Sequence, residues 1–363
     1  MSTLNPAQRS AVRHIETPLL VLAGAGSGKT RVITEKIHWL IQQNHFQPAE
    51  IAAITFTNKA AKEMRQRLSK HAADAYVSTF HSLGWQIIKG HPEAIGRRRG
   101  LSILDQHAAF DLIRELLPPN APNELIWAVQ GGIGRYKDAS LSVNDALSLA
   151  TDESSSQAAS IYAQYDERLA ALNAVDFDDL IRLPLELFKN PEIRHQWHQR
   201  IGYLLVDEYQ DTSQAQYQLM QALVGDRSGL TAVGDDDQSI YGWRGARPDN
   251  LVHLERDYPT LKVVKLEQNY RSSGHILKSA NTLIANNPHA FEKKLWSELG
   301  PGDRVSVMGY ANDRDEAEGV ARDIVGTHHG NRTPWGQCAV LYRSNQQARA
   351  LELALRELGV PYV

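Results

Sequence analysis

The sequence predicts an α/β fold with a parallel β-sheet, and two observations lead to this prediction. Short apolar runs with the length of buried strands occur at 18–23, 51–56, 203–206, 230–233 and 263–266. Helical patterns follow the first two runs, from about residue 29 to 43 and through residue 68. Strands that are apolar throughout and alternate with helices are typical of a parallel sheet that is covered on both faces.

The rest of the 363-residue chain predicts further domains, because one core rarely organises so many residues. Strand patterns fade between 86 and 199, where we expect a mainly helical insertion. The polar, serine-rich stretch 151–160 is predicted to be a loop. A further alternating block starts near Arg304 and includes the apolar run 339–342, which suggests a strand. A helix predicted at 346–358 ends at Gly359, a residue that favours helix termination.

Composition gives only general limits on function. The net charge of −3 does not favour a nucleic-acid binder, and the local basic clusters at 59–67 and 97–99 are more often solvated faces. The single cysteine, Cys338, excludes an internal disulfide and a cysteine-rich zinc site. Residues 1–10 do not resemble a signal peptide, and no apolar run reaches the ~18 residues of a membrane helix. We therefore expect a cytoplasmic protein without a membrane partner.

A phosphate-binding loop is predicted where the first strand meets the first long helix, which is the context that such a loop requires. The loop consists of Ala23, Gly24, Ala25, Gly26, Ser27, Gly28, Lys29 and Thr30. Its glycines allow backbone N–H groups to face phosphate oxygens, and the helix N-terminus favours an anion. We expect Lys29 to reach the β- and γ-phosphates and Thr30 to bind Mg²⁺. The alternative is a glycine-rich turn without a ligand.

Two carboxylates follow the strand predicted at 203–206. Asp207 is expected to hold Mg²⁺, directly or through water. Glu208 is expected to orient and deprotonate an attacking water, because phosphoryl transfer depends mainly on positioning and charge neutralisation. Strands often end in acidic loops, so this pair has predictive value only in combination with the phosphate loop.

Taken together, these and other segments make the chain resemble superfamily 1 helicases of the UvrD/Rep/PcrA family. The matching segments are a Q-motif at 4–8, motif Ia at 55–61, motif II at 207–211, motif III at 233–245 and motif IV at 268–272. Their order and spacing agree along the whole chain. Segments 246–248 and 285–289 look more like Rep than like UvrD or PcrA.

The resemblance implies a domain organisation and an activity. The implied domains are a RecA-like domain 1A at 1–85 and 200–275, a helical insertion 1B at 86–199 and the first part of a second RecA-like domain 2A at 276–363. The implied activity is an ATP-dependent DNA helicase that moves 3′ to 5′ on single-stranded DNA and acts at duplex junctions in replication or repair. ATP and Mg²⁺ would bind between the two RecA-like domains. Nothing after Arg271 resembles motifs V and VI, so we expect this span to be impaired.

The resemblance also implies roles for individual residues around the nucleotide. Gln8 would read the adenine edge, Tyr270 would stack on the adenine, and Arg271 would contact the γ-phosphate. Arg31 would lie beside the nucleotide. Gln238 would touch the γ-phosphate from the loop that also carries Trp243.

Aromatic side chains suit single-stranded DNA because every base offers a stacking face. Our candidates for stacking are Phe56, Tyr241 and Trp243, and our candidates for phosphate or sugar contacts are Asn58, His81 and Arg244. Burial in the core is the commoner fate of aromatic residues. However, Trp243 lies in a polar, glycine-rich stretch, and Phe56 ends a strand at the edge where open α/β sheets bind ligands.

Two alternatives remain open at this point. Helicase-nucleases similar to AddA and RecB share the same motifs. A switch or clamp that binds ATP without moving would not need a loop that joins Gln238 to Trp243. DNA-stimulated ATP hydrolysis separates a motor from such a module.

Overall fold

The structure, a computed structural model, describes residues 4–151, 153–288 and 291–363, with only the backbone for Glu153, Ser154 and Arg244. His289, which belongs to a segment that resembles Rep, lies outside the described residues. The chain divides into two compact units, Met1–Gly302 and Asp303–Val363. Each helix among the described residues is too short or too polar to span a lipid bilayer.

The first unit is built around a six-stranded parallel sheet. The strands of the described chain are β1 (Leu19–Ala23), β2 (Ile51–Thr55), β3 (Tyr76–Thr79), β4 (Ser102–Ile103), β5 (Ala174–Val175), β6 (Tyr203–Val206), β7 (Leu230–Gly234) and β8 (Lys262–Leu266). The large sheet has the order β3-β2-β6-β7-β1-β8, and β4 and β5 form a separate pair. The predicted fold class and all five predicted strands of the first unit are confirmed, while β3 was not predicted.

The register brings the functional loops to one edge of this sheet. Val21 of β1 lies opposite Val233 of β7 and Val264 of β8, and Ala53 of β2 lies opposite Leu205 of β6. All of these pairings are parallel. The carboxyl ends of the strands therefore meet at the same edge, where open α/β sheets bind ligands.

Fifteen α-helices are found in the described chain. In chain order, the first eight are α1 (Pro6–Arg13), α2 (Lys29–Gln42), α3 (Asn58–Arg67), α4 (Phe80–Gly90), α5 (Gln106–Leu116), α6 (Asn123–Asp138), α7 (Val143–Leu149) and α8 (Glu153–Ala171). The others are α9 (Asp179–Leu187), α10 (Pro191–Arg200), α11 (Gln214–Val224), α12 (Asn250–Asp257), α13 (Gly274–Ile284), α14 (Asp313–Asn331) and α15 (Asn345–Glu357).

Both faces of the large sheet are buried, as its apolar strands predict. Successive residues of a strand point to opposite faces. Leu20 and Leu22 of β1 belong to a core with side chains from α4, α9, α10 and α11. Leu19 and Val21 belong to a second core, with side chains from α2 and α3.

The region between α4 and β6 is helical, as predicted, apart from the short β4–β5 pair. It has a hydrophobic core of its own, which includes Phe110, Ile133 and Tyr162. The prediction of a loop at 151–160 is wrong from residue 153 onward, because α8 begins there. Ala158 and Ala159 of this segment are buried, and such tertiary packing overrides the weak helix propensity of the serines.

The second unit consists mainly of α14 and α15, which pack through small and apolar side chains such as Ala321 and Leu355. Gly359 follows α15 with a left-handed φ of +66°, so the predicted helix end is confirmed. The strands suggested near 304 and at 339–342 are absent from the described chain. A strand forms only when neighbouring backbone supplies hydrogen bonds, and in the described chain neither segment is paired.

Candidate functional site

The predicted phosphate loop joins the carboxyl end of β1 to the first residue of α2, Lys29. Gly26 and Gly28 have φ angles of +71° and +93°, which side chains other than glycine rarely adopt. The backbone N–H and the hydroxyl of Ser27 both donate to the Gly24 carbonyl oxygen, at 3.2 and 2.7 Å. These bonds fix the loop in a tight turn at a helix N-terminus.

Gln8 lies against this loop and is fully buried. Its Nε2 donates to the Ser27 carbonyl oxygen at 2.8 Å, and its Oε1 accepts from the Asn5 backbone N–H at 3.1 Å. Asn5 also donates through Nδ2 to the hydroxyl of Tyr270 at 2.9 Å. The structure thus connects Gln8 to the loop directly and to Tyr270 through Asn5.

The two carboxylates after β6 occupy the next position along the sheet edge. The Asp207 N–H donates to the Ile54 carbonyl oxygen at 2.8 Å and so continues the β2–β6 pairing. Glu208 has a left-handed φ of +49°, a strained conformation for a residue other than glycine. Its Oε2 lies 3.1 Å from Lys29 Nζ, in an ion pair whose angles do not fit a hydrogen bond.

The acidic groups at this edge have shifted pKa values. Burial, assisted by the charge of Glu208, raises the pKa of Asp207 to about 7, although Lys29 acts in the opposite direction. The same two causes, in the same order, raise the pKa of Asp211 to about 6. Carboxylates that are costly to ionise in a buried site fit the binding of a divalent cation, which favours their charged form.

Hydrogen bonds link Glu208 to the loop that follows β7. Gln210 donates through Nε2 to Glu208 Oε2 at 2.9 Å, and its Oε1 accepts from the Asp235 N–H at 3.0 Å. The Asp235 carboxylate in turn accepts from Gln238 Nε2. Gln238 and Glu208 are therefore held in one network, although they come from different loops.

Most of the predicted nucleotide-site residues line a single cavity of about 390 Å³. Its lining consists of Ala25, Gly26, Gly28, Lys29, Thr30, Arg31, Arg67, Glu208, Gln238, Tyr270 and Arg271. The volume is within the ~300–1,000 Å³ range of small-molecule sites. Of these residues, only Arg67, at the end of α3, was missed. The sequence analysis placed it in a basic cluster that was interpreted as a solvated face.

The segment after β8 is attached to the phosphate loop by backbone contacts. The Tyr270 N–H donates to the Gly26 carbonyl oxygen at 2.9 Å. Asn269 donates through Nδ2 to the Ala25 carbonyl oxygen at 2.6 Å, and its Oδ1 accepts from the Arg271 N–H at 2.8 Å. The buried Asn269, to which the sequence analysis gave no role, thus fixes Tyr270 and Arg271 beside the loop.

Three of the predicted DNA-binding residues form an aromatic cluster at the same sheet edge. The rings of Phe56 and Tyr241 are stacked, with centroids 5.2 Å apart and an interplanar angle of 24°. The Tyr241 and Trp243 ring centroids are 6.4 Å apart, and Trp243 is 74% exposed. We call Phe56, Tyr241 and Trp243 the aromatic cluster. The neighbouring Arg244 has no described side chain.

The remaining DNA candidates lie on the β2–β3 side of the sheet. Asn58 is the exposed first residue of α3, and His81 is in the first turn of α4. Burial lowers the pKa of His81. The His81 ring lies 5.6 Å from that of Phe177, which is 54% exposed and to which the sequence analysis gave no role.

Comparison with known proteins identifies the family of the chain. Residues 4–259 match the family model described as UvrD/REP helicase N-terminal domain, and residues 264–363 match the UvrD-like helicase C-terminal domain. The chain is 49% identical over 367 residues to the ATP-dependent DNA helicase Rep of Escherichia coli (strain K12), covering 99% of the chain and 54% of that protein.

Two further relatives are also similar over nearly the whole chain. The chain is 48% identical to the ATP-dependent DNA helicase Rep of Salmonella typhimurium, covering 99% of the chain and 54% of that protein. It is 39% identical to the ATP-dependent DNA helicase PcrA of Staphylococcus aureus (strain Mu50), covering the whole chain and 50% of that protein. The chain thus spans about half the length of the curated relatives it matches. It belongs to the UvrD/REP helicase family.

Proposed function

We propose that this chain carries the ATP-hydrolysing and strand-binding elements of a DNA helicase that moves 3′ to 5′ on single-stranded DNA. Its action would unwind duplex at single-strand junctions during replication or repair, in the cytoplasm. The main support is the cavity in which Lys29, Glu208, Gln238 and Arg271 converge. The aromatic cluster includes two residues from the same loop as Gln238, and relatives named ATP-dependent DNA helicases support the same function.

We propose ATP as the substrate and Mg²⁺ as the cofactor of the cavity. The N–H groups of the phosphate loop and Lys29 would bind the phosphates. Thr30 and Asp207 would hold Mg²⁺, which supplies positive charge to the phosphate oxygens. Tyr270 and Arg31 would contact the nucleotide beside the loop. Gln8 would act on the adenine side, where it also supports the Ser27 carbonyl.

Hydrolysis would depend on an exchange of partners at Glu208. In the structure, Glu208 Oε2 contacts both Lys29 and Gln210. When phosphates attract Lys29, Glu208 becomes able to accept a proton from the water that attacks the γ-phosphorus. Arg271 and Gln238 would neutralise and position the γ-phosphate while the bond to ADP breaks. The products are ADP, inorganic phosphate and one proton.

Movement on DNA would follow from the position of Gln238, a few residues before Tyr241 and Trp243. Loss of the γ-phosphate would change the contacts of Gln238 and therefore the loop that carries these rings. Bases stacked on the aromatic cluster would then be gripped or released. The domain boundaries implied by the sequence, with 1A at 1–85 and 200–275, 1B at 86–199 and 2A from 276, belong to this proposal.

ATP hydrolysis by the natural protein, measured with and without single-stranded DNA, tests the proposal. We expect strong stimulation by DNA, a weaker effect of RNA of the same sequence, and displacement of a strand from a duplex with a 3′ single-stranded tail. Hydrolysis that does not respond to DNA would indicate a non-motor ATPase. DNA cleavage by the natural protein would favour a helicase-nuclease.

A further inference from the structure

Lys293 lies outside every motif used so far, yet it makes three ion pairs with the aspartates that immediately precede Gln238. Its side chain is only 3% exposed. Its Nζ lies 2.7 Å from Asp235 and 2.8 Å from Asp237, and it contacts Asp236 as well. These three aspartates are consecutive and follow β7. Their carboxylate oxygens lie close enough to one another to hold a metal ion, but the lysine ammonium already contacts all three.

The backbone that carries Lys293 is attached beside the phosphate loop. The Trp296 N–H donates to the Glu267 carbonyl oxygen at 3.0 Å, and the Lys294 N–H donates to the Glu267 carboxylate at 3.0 Å. The side chain of Leu295 packs so closely on Gly24 that a Cβ there would lie 2.4 Å from it. The Lys293 side chain therefore reaches the aspartates from an anchored segment.

Lys293 offsets the repulsion among the three aspartates. Three like charges within one short buried turn repel one another strongly, and removal of one partner from a buried ion pair leaves an uncompensated charge. Burial acts to lower the pKa of Lys293, but the three carboxylates outweigh it and raise the pKa. Lys293 therefore stays charged and neutralises part of the turn.

The neutralised turn also holds Gln238, which lines the cavity. Asp235 shares its carboxylate between Lys293 and Gln238 Nε2, while its N–H donates to Gln210, which contacts Glu208. A displaced Asp235 would disturb Gln238 directly and Glu208 through one intermediate residue. From the segment 291–296, Lys293 is the residue whose side chain pairs with Asp235.

We propose that Lys293 is a positioning residue for ATP hydrolysis, which holds Asp235 and through it fixes Gln238 at the cavity. This inference rests on the proposed function. It concerns rate rather than binding, because Lys293 is not among the residues that line the cavity.

The test uses Lys293→Met in the natural protein, with Lys294→Met as the matched control. Lys294 is the adjacent lysine and is exposed. We expect the DNA-stimulated kcat of Lys293→Met to fall ~10–100-fold, the scale on which small misplacements reduce rates. The KM for ATP and the Kd for single-stranded DNA should change less than about threefold, on the same argument that positioning acts on rate. Lys294→Met should match the wild type.

A second substitution separates positioning from a general loss of structure. Asp236 pairs with Lys293 and accepts from the Phe291 N–H, whereas the carboxylate that accepts from Gln238 is that of Asp235. Adding Asp236→Asn to Lys293→Met removes one of the repelling charges, so kcat should recover at least several-fold. Lys293→Arg, which keeps the charge, should retain most of the activity. If Lys293 were purely structural, Lys293→Met would instead lower the melting temperature, kcat and the affinities for ATP and DNA together. Adding Asp236→Asn would then not restore kcat.

The outcomes are distinguishable. A wild-type kcat in Lys293→Met, or no recovery on adding Asp236→Asn, would overturn the role of Lys293 and leave the proposed function intact. If Lys293→Met does not fold, the comparison uses Lys293→Arg and the double variant that combines Lys293→Met with Asp236→Asn. Equal and strongly reduced kcat values in these two variants would overturn the role of Lys293. Absence of DNA-stimulated hydrolysis in the wild type would overturn the proposed function, and this inference with it.

Discussion

Replacement of Trp243 by alanine tests the strand-binding surface with little disturbance of the fold. The side chain is 74% exposed, and substitutions at such positions usually change the free energy of unfolding by less than ~0.5 kcal/mol. Phe56 is a less suitable target, because its ring is stacked on Tyr241 and partly buried. A change in DNA affinity in Trp243→Ala can therefore be attributed to the lost ring.

The expected magnitude follows from stacking. One base stacked on an aromatic side chain contributes ~1–3 kcal/mol, which corresponds to a rise of roughly 5–150-fold in Kd. The loss should be similar for oligonucleotides of different sequence, because every base has a stacking face. The dependence of log Kd on log salt concentration should not change, since no phosphate contact is removed.

Fluorescence anisotropy of labelled single strands, without nucleotide and at two salt concentrations, measures these effects. Trp127→Ala is a matched control, because Trp127 is 46% exposed and contacts Phe110 in the helical insertion, with ring centroids 4.5 Å apart. We expect it to bind DNA like the wild type. Unchanged affinity in a folded Trp243→Ala, or an equal loss in Trp127→Ala, would refute the assignment of the aromatic cluster.

Four further substitutions test the nucleotide site. Lys29→Ala should abolish ATP turnover, measured as phosphate release, because the lysine is the cation of the phosphate loop; near-normal turnover would contradict its role. Glu208→Gln should bind a fluorescent ATP analogue normally but lose ~10²–10⁴ in hydrolysis, because an amide cannot accept the proton; loss of binding would instead indicate a structural residue. Gln8→Ala should raise the KM for ATP and lower the free energy of unfolding by ~1–3 kcal/mol, through the unpaired Ser27 carbonyl. The pKa of Asp211 is raised to about 6 in the folded state, against an ordinary value of 3.8. Because the folded state holds this proton more tightly than the unfolded state, the free energy of unfolding falls as the pH rises from about 4 to 6. Asp211→Asn should remove this dependence. Its free energy of unfolding in urea should exceed that of the wild type by ~1–2 kcal/mol at pH 8, which is less than the full shift because solvent screens a partly exposed group, and should show no gain at pH 4.

The central strands and the cavity were predictable because their signals are local. A strand buried on both faces is apolar throughout, as in Leu19–Ala23, and a phosphate loop carries its glycines and lysine within eight residues. The edge strand Tyr76–Thr79 carries a weaker signal, because half of its residues are polar and it pairs only with β2. Its strand conformation depends on that neighbour.

Other functional features could not be predicted because they depend on contacts between distant parts of the chain. Lys293 and Asn269 are ordinary polar residues in the sequence, and their importance comes from partners more than 50 and 240 residues away. The left-handed backbone of Glu208 has no sequence signal, since glycine, asparagine or aspartate would usually mark it. Arg67 reads as part of a solvated cluster until α3 places its end at the cavity.

The strand order also determines when the sheet can form during synthesis on the ribosome. Ala53 of β2 pairs with Leu205 of β6, so roughly 150 residues separate the two. At ~5–20 residues per second, β2 waits on the order of 10–30 s for this neighbour, with only β3 to pair with in the meantime. Both neighbours of β1, β7 and β8, emerge later still. The helical insertion, which has its own core, is made during this interval and can fold first. The nascent chain therefore exposes apolar strand edges for many seconds, and conditions that slow translation inside the insertion should increase its need for chaperones.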